Sequence, residues 1–229
     1  MINHHPKFEL LDLYTKGHLP ASLSAGVNIH LEHCSKCRNT VEQLTEQLAE
    51  IYFEQESNDV NQNTNPELTD SYQLMLDKIF ASADDEEIIE KPKSVDKNNV
   101  TFDVKGKQYA LPKVLQNMEL TSQINLGKLT RSRVTLDEGE VHTSLLHIEP
   151  GGSVPQHTHK GYELTVLIDG TFSDEKGTYH PGDFIMLDGN HTHQPVSEQG
   201  CLCYTVANDA LHFTQGINKL LNPIGSFIY

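Results

Sequence analysis

Three residues near the N-terminus have side chains and spacing suited to a metal site. His30, Cys34 and Cys37 form the pattern His-xxx-Cys-xx-Cys. His30 and Cys34 are four residues apart on a predicted helix, so they lie on one face of it. Cys37 follows at the predicted junction with the next helix. Because imidazole and thiolate are common ligands of tetrahedral zinc, this spacing predicts a zinc site.

A structural zinc ion needs a fourth protein ligand, since an open coordination position is typical of a catalytic site. The candidates among nearby histidines are His4, His5, His18 and His33. His33 is next to Cys34 and should point to another face of the helix, whereas His4 and His5 precede the first predicted helix and can fold back. A thioredoxin-type redox motif is disfavoured, because that motif belongs to a βαβ unit and none is predicted.

A second group of metal-binding residue types lies in the segment 151–170, GGSVPQHTHKGYELTVLIDG. His157 and His159 are two residues apart on a predicted strand, so their side chains face the same way. Glu163 follows after a short turn and can reach the same point. The spacing therefore predicts a second metal site, built on strands.

A third histidine for this site is available after the sequence Pro-Gly-Asp at 181–183. His191 and His193 have the same strand parity, so geometry alone allows either residue. Three imidazoles and one carboxylate suit Zn, Mn, Fe, Ni or Cu. The ligand types therefore do not select the metal.

The elements that position the first cluster are predicted to be helices. Apolar residues within 8–14 recur at close to 3.6-residue spacing, and this helix ends near Gly17. A second helix, with Pro20 in its first turn, runs to about Cys34. A third helix with one apolar stripe follows Cys37. The first cluster is therefore expected where two helices meet.

Two polar segments interrupt the chain after the third helix. Residues 54–65 have little to bury and are predicted to be a linker, and residues 85–99 form a second, acidic and polar linker. Between them, 66–82 carries apolar residues on one side and is predicted to be a further helix. The helical domain is therefore predicted to span 1–84.

From about Val100 the pattern changes to short β-rich runs separated by Gly, Pro, Asp and Asn, which favours an all-β sandwich or barrel at 100–229. The predicted fold class is therefore α+β with more than one domain. The predicted strands include 101–104, 144–148, 164–168, 184–187 and 202–206.

The composition restricts the partners of the 229-residue chain. Its formal net charge is −15, which disfavours direct binding to nucleic acid or an anionic membrane and suits a basic protein. No apolar run is long enough to span a bilayer, and the N-terminus lacks the layout of a signal peptide. We therefore expect a cytoplasmic protein.

Both motifs resemble those of known families. The segment HLEHCSKC at 30–37 is similar to the signature of zinc-binding anti-sigma factors. The histidine–glutamate pattern of 151–170, followed by Pro-Gly-Asp at 181–183, resembles the two motifs of the cupin superfamily, although Asp188 stands near the place of the proline usual before the last histidine. In this order, the motifs resemble the ChrR family of zinc-dependent anti-sigma factors over nearly the whole chain.

The resemblance implies a four-helix anti-sigma domain, with 66–82 as the fourth helix, followed by a cupin (jelly-roll) barrel. It places the remaining ligand of the first site at His5, with His4 as the fallback, and favours His193 over His191 at the second site. Zinc is implied at both sites. The predicted ligand sets are His5, His30, Cys34 and Cys37, and His157, His159, Glu163 and His193.

The resemblance also implies a function in the regulation of transcription. The helical domain would bind an extracytoplasmic-function sigma factor, and the cupin domain would be needed for release on an oxidative signal such as singlet oxygen. On this hypothesis the protein is not an enzyme. The alternative is a cupin metalloenzyme, a dioxygenase or isomerase, or a cupin that binds a small molecule. Polar residues predicted near the cupin site that can act in acid–base chemistry are Tyr162, His147, His180 and His191.

Cys201 and Cys203 are two residues apart on a predicted late strand, so their side chains share a face. Two interpretations are open. They are either small buried hydrophobic side chains or thiols near a metal that are targets of oxidation.

Overall fold

The computed structural model describes residues 2–59, 73–78, 100–209 and 211–214. The chain divides into two compact units. The first contains residues 1–42 together with 99–229, and the second contains residues 43–98. Within the described ranges, no helix is both long and apolar enough to cross a membrane.

The predicted N-terminal helices are present as α1 (Phe8–Thr15), α2 (Ala21–His33) and α3 (Ser35–Asp59). Gly17 follows the C-terminal end of α1 and has a φ of +68°, a left-handed conformation that favours glycine. Pro20 precedes α2 with a φ of −53°, the value its ring imposes. The boundaries of the first two helices therefore follow from local sequence.

The third helix is longer at both ends than predicted. It begins at Ser35, before Cys37, and it continues to Asp59, so residues 54–59 of the predicted linker are helical. The reason is local, because Glu54-Gln55-Glu56 are good helix formers and no Gly or Pro interrupts them. Residues 73–78 within the predicted fourth helix are helical; the rest of 66–82, residues 60–65 and the linker 85–99 lie outside the described residues.

The C-terminal part is all-β, as predicted, and its strand pairings are antiparallel. A six-stranded sheet has the order β11-β8-β14-β5-β4-β3, a four-stranded sheet the order β10-β9-β13-β6, and a three-stranded sheet the order β12-β7-β15, while β1 and β2 form a hairpin. A 3₁₀ helix covers Lys113–Leu115. The strands are β1 (Thr101–Val104), β2 (Lys107–Ala110), β3 (Ile124–Leu126), β4 (Leu129–Val134), β5 (His142–Ile148), β6 (Gly152–Ser153), β7 (His157–His159), β8 (Tyr162–Gly170), β9 (Phe172–Asp174), β10 (Gly177–Tyr179), β11 (Phe184–Asp188), β12 (Thr192–His193), β13 (Val196–Ser197), β14 (Cys201–Ala207) and β15 (Leu211–Phe213).

Strand β14 is buried along its whole length because both of its faces are covered. One face points into the interior of the β part, where Cys203 and Thr205 line a cavity. The opposite face meets α2, and the Tyr204 hydroxyl donates a hydrogen bond to the backbone oxygen of Ser22 at 2.8 Å. Helix α2 therefore forms part of the same core as the strands.

Gly26 allows α2 to lie this close to the sheet. A Cβ atom at Gly26 would be 2.5 Å from Cδ2 of Leu164, on β8, and 3.5 Å from Cε1 of Tyr204. A glycine inside a helix costs about 1 kcal/mol relative to alanine. Here that cost is offset by the close packing that the missing side chain permits.

Candidate metal centres

The first predicted cluster is assembled where α2 and α3 meet. One ligand atom each from His5, His30, Cys34 and Cys37 lies within 4.8 Å of the others. Cys34 has an extended backbone between the two helices (φ −113°, ψ 100°), and this break brings its thiol beside that of Cys37. The Nδ1 atom of His5 is 3.4 Å from Sγ of Cys34 and 3.5 Å from Sγ of Cys37.

The proton position on His30 follows from its hydrogen bond. Its Nδ1 is 2.6 Å from the carbonyl oxygen of Gly182, and a carbonyl only accepts, so Nδ1 must carry the proton. Burial lowers the pKa of His30 and keeps the ring neutral. Its Nε2 is buried and has no hydrogen-bond partner within the part of the chain that the structure describes. A buried acceptor beside two thiols is suited to a metal ligand.

The thiols of this cluster are buried, with Cys34 and Cys37 each 5% exposed or less. Burial and a hydrogen bond that the Cys37 thiol donates to Cys34 raise the pKa of this thiol to about 11. A metal must therefore displace this proton to bind the thiolate, so its affinity rises with pH. Two thiols with two imidazoles match the donor set of structural zinc sites.

The other candidate histidines lie elsewhere. His4 packs its ring against that of Tyr179, with centroids 4.8 Å apart. His18 and His33 are exposed and are outside the cluster. The structure therefore brings together His5, and not His4, with the three residues of the sequence motif.

Asp183 holds the N-terminal segment that carries His5. Its Oδ1 accepts hydrogen bonds from the backbone N–H groups of Asn3 and His4, at 2.9 and 3.0 Å. Its Oδ2 accepts a third from the backbone N–H of His180 at 2.8 Å. The Pro-Gly-Asp turn before β11 therefore contacts the first cluster twice, through Asp183 and through the carbonyl of Gly182.

We expect Asp183→Ala to lower the free energy of unfolding by roughly 2–4 kcal/mol, because three N–H groups around a buried side chain lose their acceptor. Chemical denaturation of the purified protein measures the loss. Asp188→Ala, at an exposed aspartate that ends β11, is the matched control and should change stability by less than about 1 kcal/mol. Equal losses in the two variants would contradict the role of Asp183.

The same substitution has an expected pH dependence. Burial alone would raise the pKa of the Asp183 carboxyl, but the three backbone N–H groups hold it below its ordinary value. Because the folded-state pKa is lowered, the contribution is complete above the unfolded value of about 3.9 and is lost as pH falls through the folded value. The stability difference between wild type and Asp183→Ala should therefore shrink only in acid.

The second predicted cluster also comes together, from three strands. His157 and His159 lie on β7, Glu163 begins β8 beside them, and His193 on β12 pairs directly with His157. One ligand atom from each of the four lies within 4.8 Å of the others, and all four residues are buried. The Nε2 atom of His193 is 2.9 Å from that of His157 and 3.4 Å from that of His159.

Neighbouring groups determine which atoms of this cluster have a lone pair or a negative charge available for a cation. The Nδ1 of His157 donates to the backbone oxygen of Pro155 at 2.7 Å, which leaves the lone pair on Nε2. Burial lowers the pKa of His157 to about 4, so the ring is neutral at neutral pH. Burial would raise the pKa of Glu163, but hydrogen bonds from His159 and His193 bring it well below its ordinary value. Three imidazoles and one carboxylate are a donor set that fits a divalent metal.

His191, the alternative to His193, lies outside the cluster. Its ring is partly exposed and its Nδ1 is 2.7 Å from Oδ1 of Asp188. The parity argument did not separate the two histidines, whereas the structure separates them because β12 pairs with β7 only at Thr192 and His193.

The second cluster opens on a cavity of about 60 Å³ inside the β part. Most of its wall is apolar and consists of alternate residues of the strands around it. Arg131, on β4, also lines the cavity, and analysis of the sequence did not single it out. Strand β4 reads Leu-Thr-Arg-Ser-Arg-Val, so its sequence pattern gave no signal that separates Arg131 from its polar neighbours.

The chain is similar to known proteins in its C-terminal part and over its length. Residues 118–210 match the family described as the ChrR cupin-like domain. The curated anti-sigma-E factor ChrR of Cereibacter sphaeroides is 28% identical over 224 residues, which are 97% of this chain and 97% of that protein. The chain is thus similar to ChrR proteins along nearly its whole length, and the family match itself covers the cupin-like part.

The fold agrees with this family. A chain in the crystal structure of Rhodobacter sphaeroides SigE in complex with the anti-sigma ChrR matches with a TM-score of 0.61 at 22% identity, covering 90% of the present chain and 99% of that chain. The predicted fold class is therefore confirmed, with helices in the N-terminal region and a cupin-like β part after them. The boundaries 1–84, 85–99 and 100–229 stay a prediction.

The acid–base candidates of the enzyme hypothesis do not line the cavity of the cupin-like part. Tyr162, His147, His180 and His191 are not among the described residues that line it. Cys203 lines the cavity, and its Sγ is 3.9 Å from that of Cys201, so the two thiols share a buried site. A role of these cysteines in oxidation stays a prediction.

Proposed function

We propose that this protein is an anti-sigma factor that binds an extracytoplasmic-function sigma factor through its helical N-terminal part. The observation that supports this most directly is the similarity to the anti-sigma-E factor ChrR, which extends over 97% of both chains. It therefore includes the helices as well as the cupin-like part. The partner is a protein, and the net charge of −15 suits a basic, DNA-binding one.

Exposed apolar side chains on the second unit offer a surface for such a partner. Ile51, Tyr52 and Phe53 are consecutive on α3, and Phe53 is 74% exposed. Leu74, Met75 and Leu76 are also exposed, at 43% or more. Exposed apolar groups of this size are typical of protein interaction sites.

We infer that zinc occupies both clusters. At the first, His5, His30, Cys34 and Cys37 would hold a structural ion that joins the N-terminal segment to the α2–α3 junction. At the second, His157, His159, Glu163 and His193 would hold the ion that supports the cupin core. A bound ion at either site supplies folding free energy, because the ligands are not assembled in the unfolded chain.

The cupin-like part is proposed to receive the signal, an oxidant such as singlet oxygen, and to cause release of the sigma factor. The protein acts in the cytoplasm on this proposal, where it regulates transcription, and it has no catalytic role. The position of the four acid–base candidates away from the cavity supports this over the metalloenzyme alternative.

The proposal is tested by transcription from a sigma-dependent promoter with purified polymerase and each extracytoplasmic-function sigma factor of the source genome. We expect the zinc-loaded protein to inhibit one of them. Phe53→Asp should weaken inhibition at least about tenfold, since a charge would replace an interface aromatic, whereas Glu50→Gln, at an exposed neighbouring position, should not. Failure of the zinc-loaded protein to inhibit any of them would refute the proposal.

A further inference from the structure

Arg131 is a buried cation that faces the cupin cavity. It lies on β4, where it pairs with Leu146 of β5, and both side chains line the cavity. The residue is 7% exposed. Its Nε and Nη1 atoms are buried and have no hydrogen-bond partner among the residues that the structure describes.

Among the residues that the structure describes, no carboxylate forms an ion pair with Arg131. Burial lowers its pKa, and the positive charge of Arg133, two residues along the strand, lowers it further. His142 also lines the cavity, and its Nδ1 is 2.7 Å from Nη1 of Arg133. The cavity carboxylate Glu163 belongs to the metal cluster and contacts His159 and His193.

An uncompensated guanidinium in an apolar cavity is costly to the folded protein, because a buried charge without a partner loses its hydration. Such a group is retained where a ligand supplies the missing charge. The planar fork of arginine matches the two oxygens of a carboxylate or the oxygens of a phosphate.

The cavity itself favours the carboxylate. Its walls are mostly apolar and include Leu129, Leu146, Ile148 and Phe172, and its volume of about 60 Å³ suits a small molecule. Besides the guanidinium and the metal cluster, the polar groups in the wall are the hydroxyls of Ser144, Thr165 and Thr205 and the ring of His142, which already contacts Arg133. A phosphate needs more hydrogen-bond donors than this wall provides. A carboxylate with a short hydrocarbon chain can pair with the guanidinium and also pack against the apolar wall.

We propose that the cupin cavity binds a small organic carboxylate, with its carboxylate paired to Arg131 and its hydrocarbon part against the apolar wall. The site lies beside the second metal cluster but requires no bond to the metal. This inference goes beyond the anti-sigma assignment and does not depend on it, since it concerns what the cavity binds.

Calorimetric titration of the zinc-loaded, full-length protein with acetate, butyrate and hexanoate at constant ionic strength tests the proposal. We expect saturable binding of one carboxylate per chain and no competition from the neutral ester methyl butyrate. Arg131→Met should weaken binding roughly 10- to 100-fold, the value of one charged hydrogen-bonded contact. Arg38→Met, at an exposed arginine, should leave it unchanged.

The variant can be shown to be folded independently of binding. Because a buried unpaired charge is removed, Arg131→Met should have the zinc content of the wild type and an equal or higher midpoint of thermal unfolding in the absence of carboxylate. The proposal is overturned if no carboxylate binds saturably, if Arg131→Met binds as the wild type does, or if inorganic phosphate binds more tightly than butyrate. Loss of sigma inhibition bears only on the anti-sigma assignment and is measured separately.

Discussion

With zinc in both clusters, as proposed, Cys37→Ala should lower the zinc content from two ions to one and release α1 from the rest of the protein. The ion contributes on the order of 10 kcal/mol in structural sites of this kind, which is more than the local packing can replace. Helix α1 buries only Leu11 among its eight residues, and Asp183 holds the backbone only at Asn3 and His4, before the helix, so the metal is the main restraint on α1 itself. We therefore expect residues 2–17 and the α2–α3 junction to lose order together.

Hydrogen exchange with peptide-level readout, combined with elemental analysis, measures this result. Amide protection should fall in peptides covering α1 and the start of α3, and the zinc content should fall from two ions to one. His33→Ala is the matched control, because this exposed histidine lies beside Cys34 but outside the cluster. Protection of α1 that survives the loss of zinc would contradict a structural role for the ion.

Helix α2 should behave differently from α1 in this experiment. Eight of its thirteen residues are buried, including Val27 and Ile29, which are fully inaccessible. Its packing against the β part is independent of the ion. Loss of the metal would therefore leave α2 in place, and with it His30.

Residues close together in sequence predicted most of the two clusters. The spacing of His30 and Cys34, and of His157 and His159, is fixed by the periods of helix and strand. His5 is different, because a residue 25 positions before His30 is brought into place by tertiary contacts. Its assignment came from the resemblance to a family, and the structure adds the contacts of Asp183 that hold its segment.

The contact between α2 and the strands was not predictable from spacing. Whether a helix is buried depends on which other elements cover it. The spacing of residues within α2 does not indicate that β8 and β14 do so. The isolated Gly26 was the available signal, since glycine inside a helix usually has a packing reason. Arg131 was missed for a related reason, because one arginine on a strand indicates nothing until the other walls of the cavity are known.

Helix α2, which carries His30 of the first cluster, packs on the face of β8 opposite to Glu163 of the second cluster. Successive residues of β8 point to opposite sides, so Glu163 reaches the second metal cluster while Leu164 meets Gly26 of α2. Four residues after Gly26, α2 carries His30, whose ring lies 6.0 Å from that of Phe184 on β11. A displacement of Glu163 would move β8, and through the contact of Leu164 with Gly26 it would move α2 and His30.

Gly26→Val should destabilise the protein by roughly 1–3 kcal/mol, because the new side chain would overlap Leu164, whose Cδ2 lies 2.5 Å from the position of a Cβ. Leu164→Ala alone should cost roughly 2–5 kcal/mol through the cavity it leaves. In the double variant the valine occupies that space, so the combined loss should be smaller than the sum by about 1 kcal/mol or more. Urea denaturation of the zinc-loaded variants gives the four free energies.

Ala21→Val provides the control for placing a β-branched residue in α2, since Ala21 is exposed in the first turn. It should cost roughly 0.5 kcal/mol, the difference in helix propensity. Strictly additive losses for Gly26→Val and Leu164→Ala would mean that α2 and β8 are not in contact in solution. Losses that are not additive for this pair, with the zinc content unchanged, would instead establish that β8, which carries Glu163, and α2, which carries His30, are energetically coupled. Release of a sigma factor by a signal at the cupin-like part requires such a coupling.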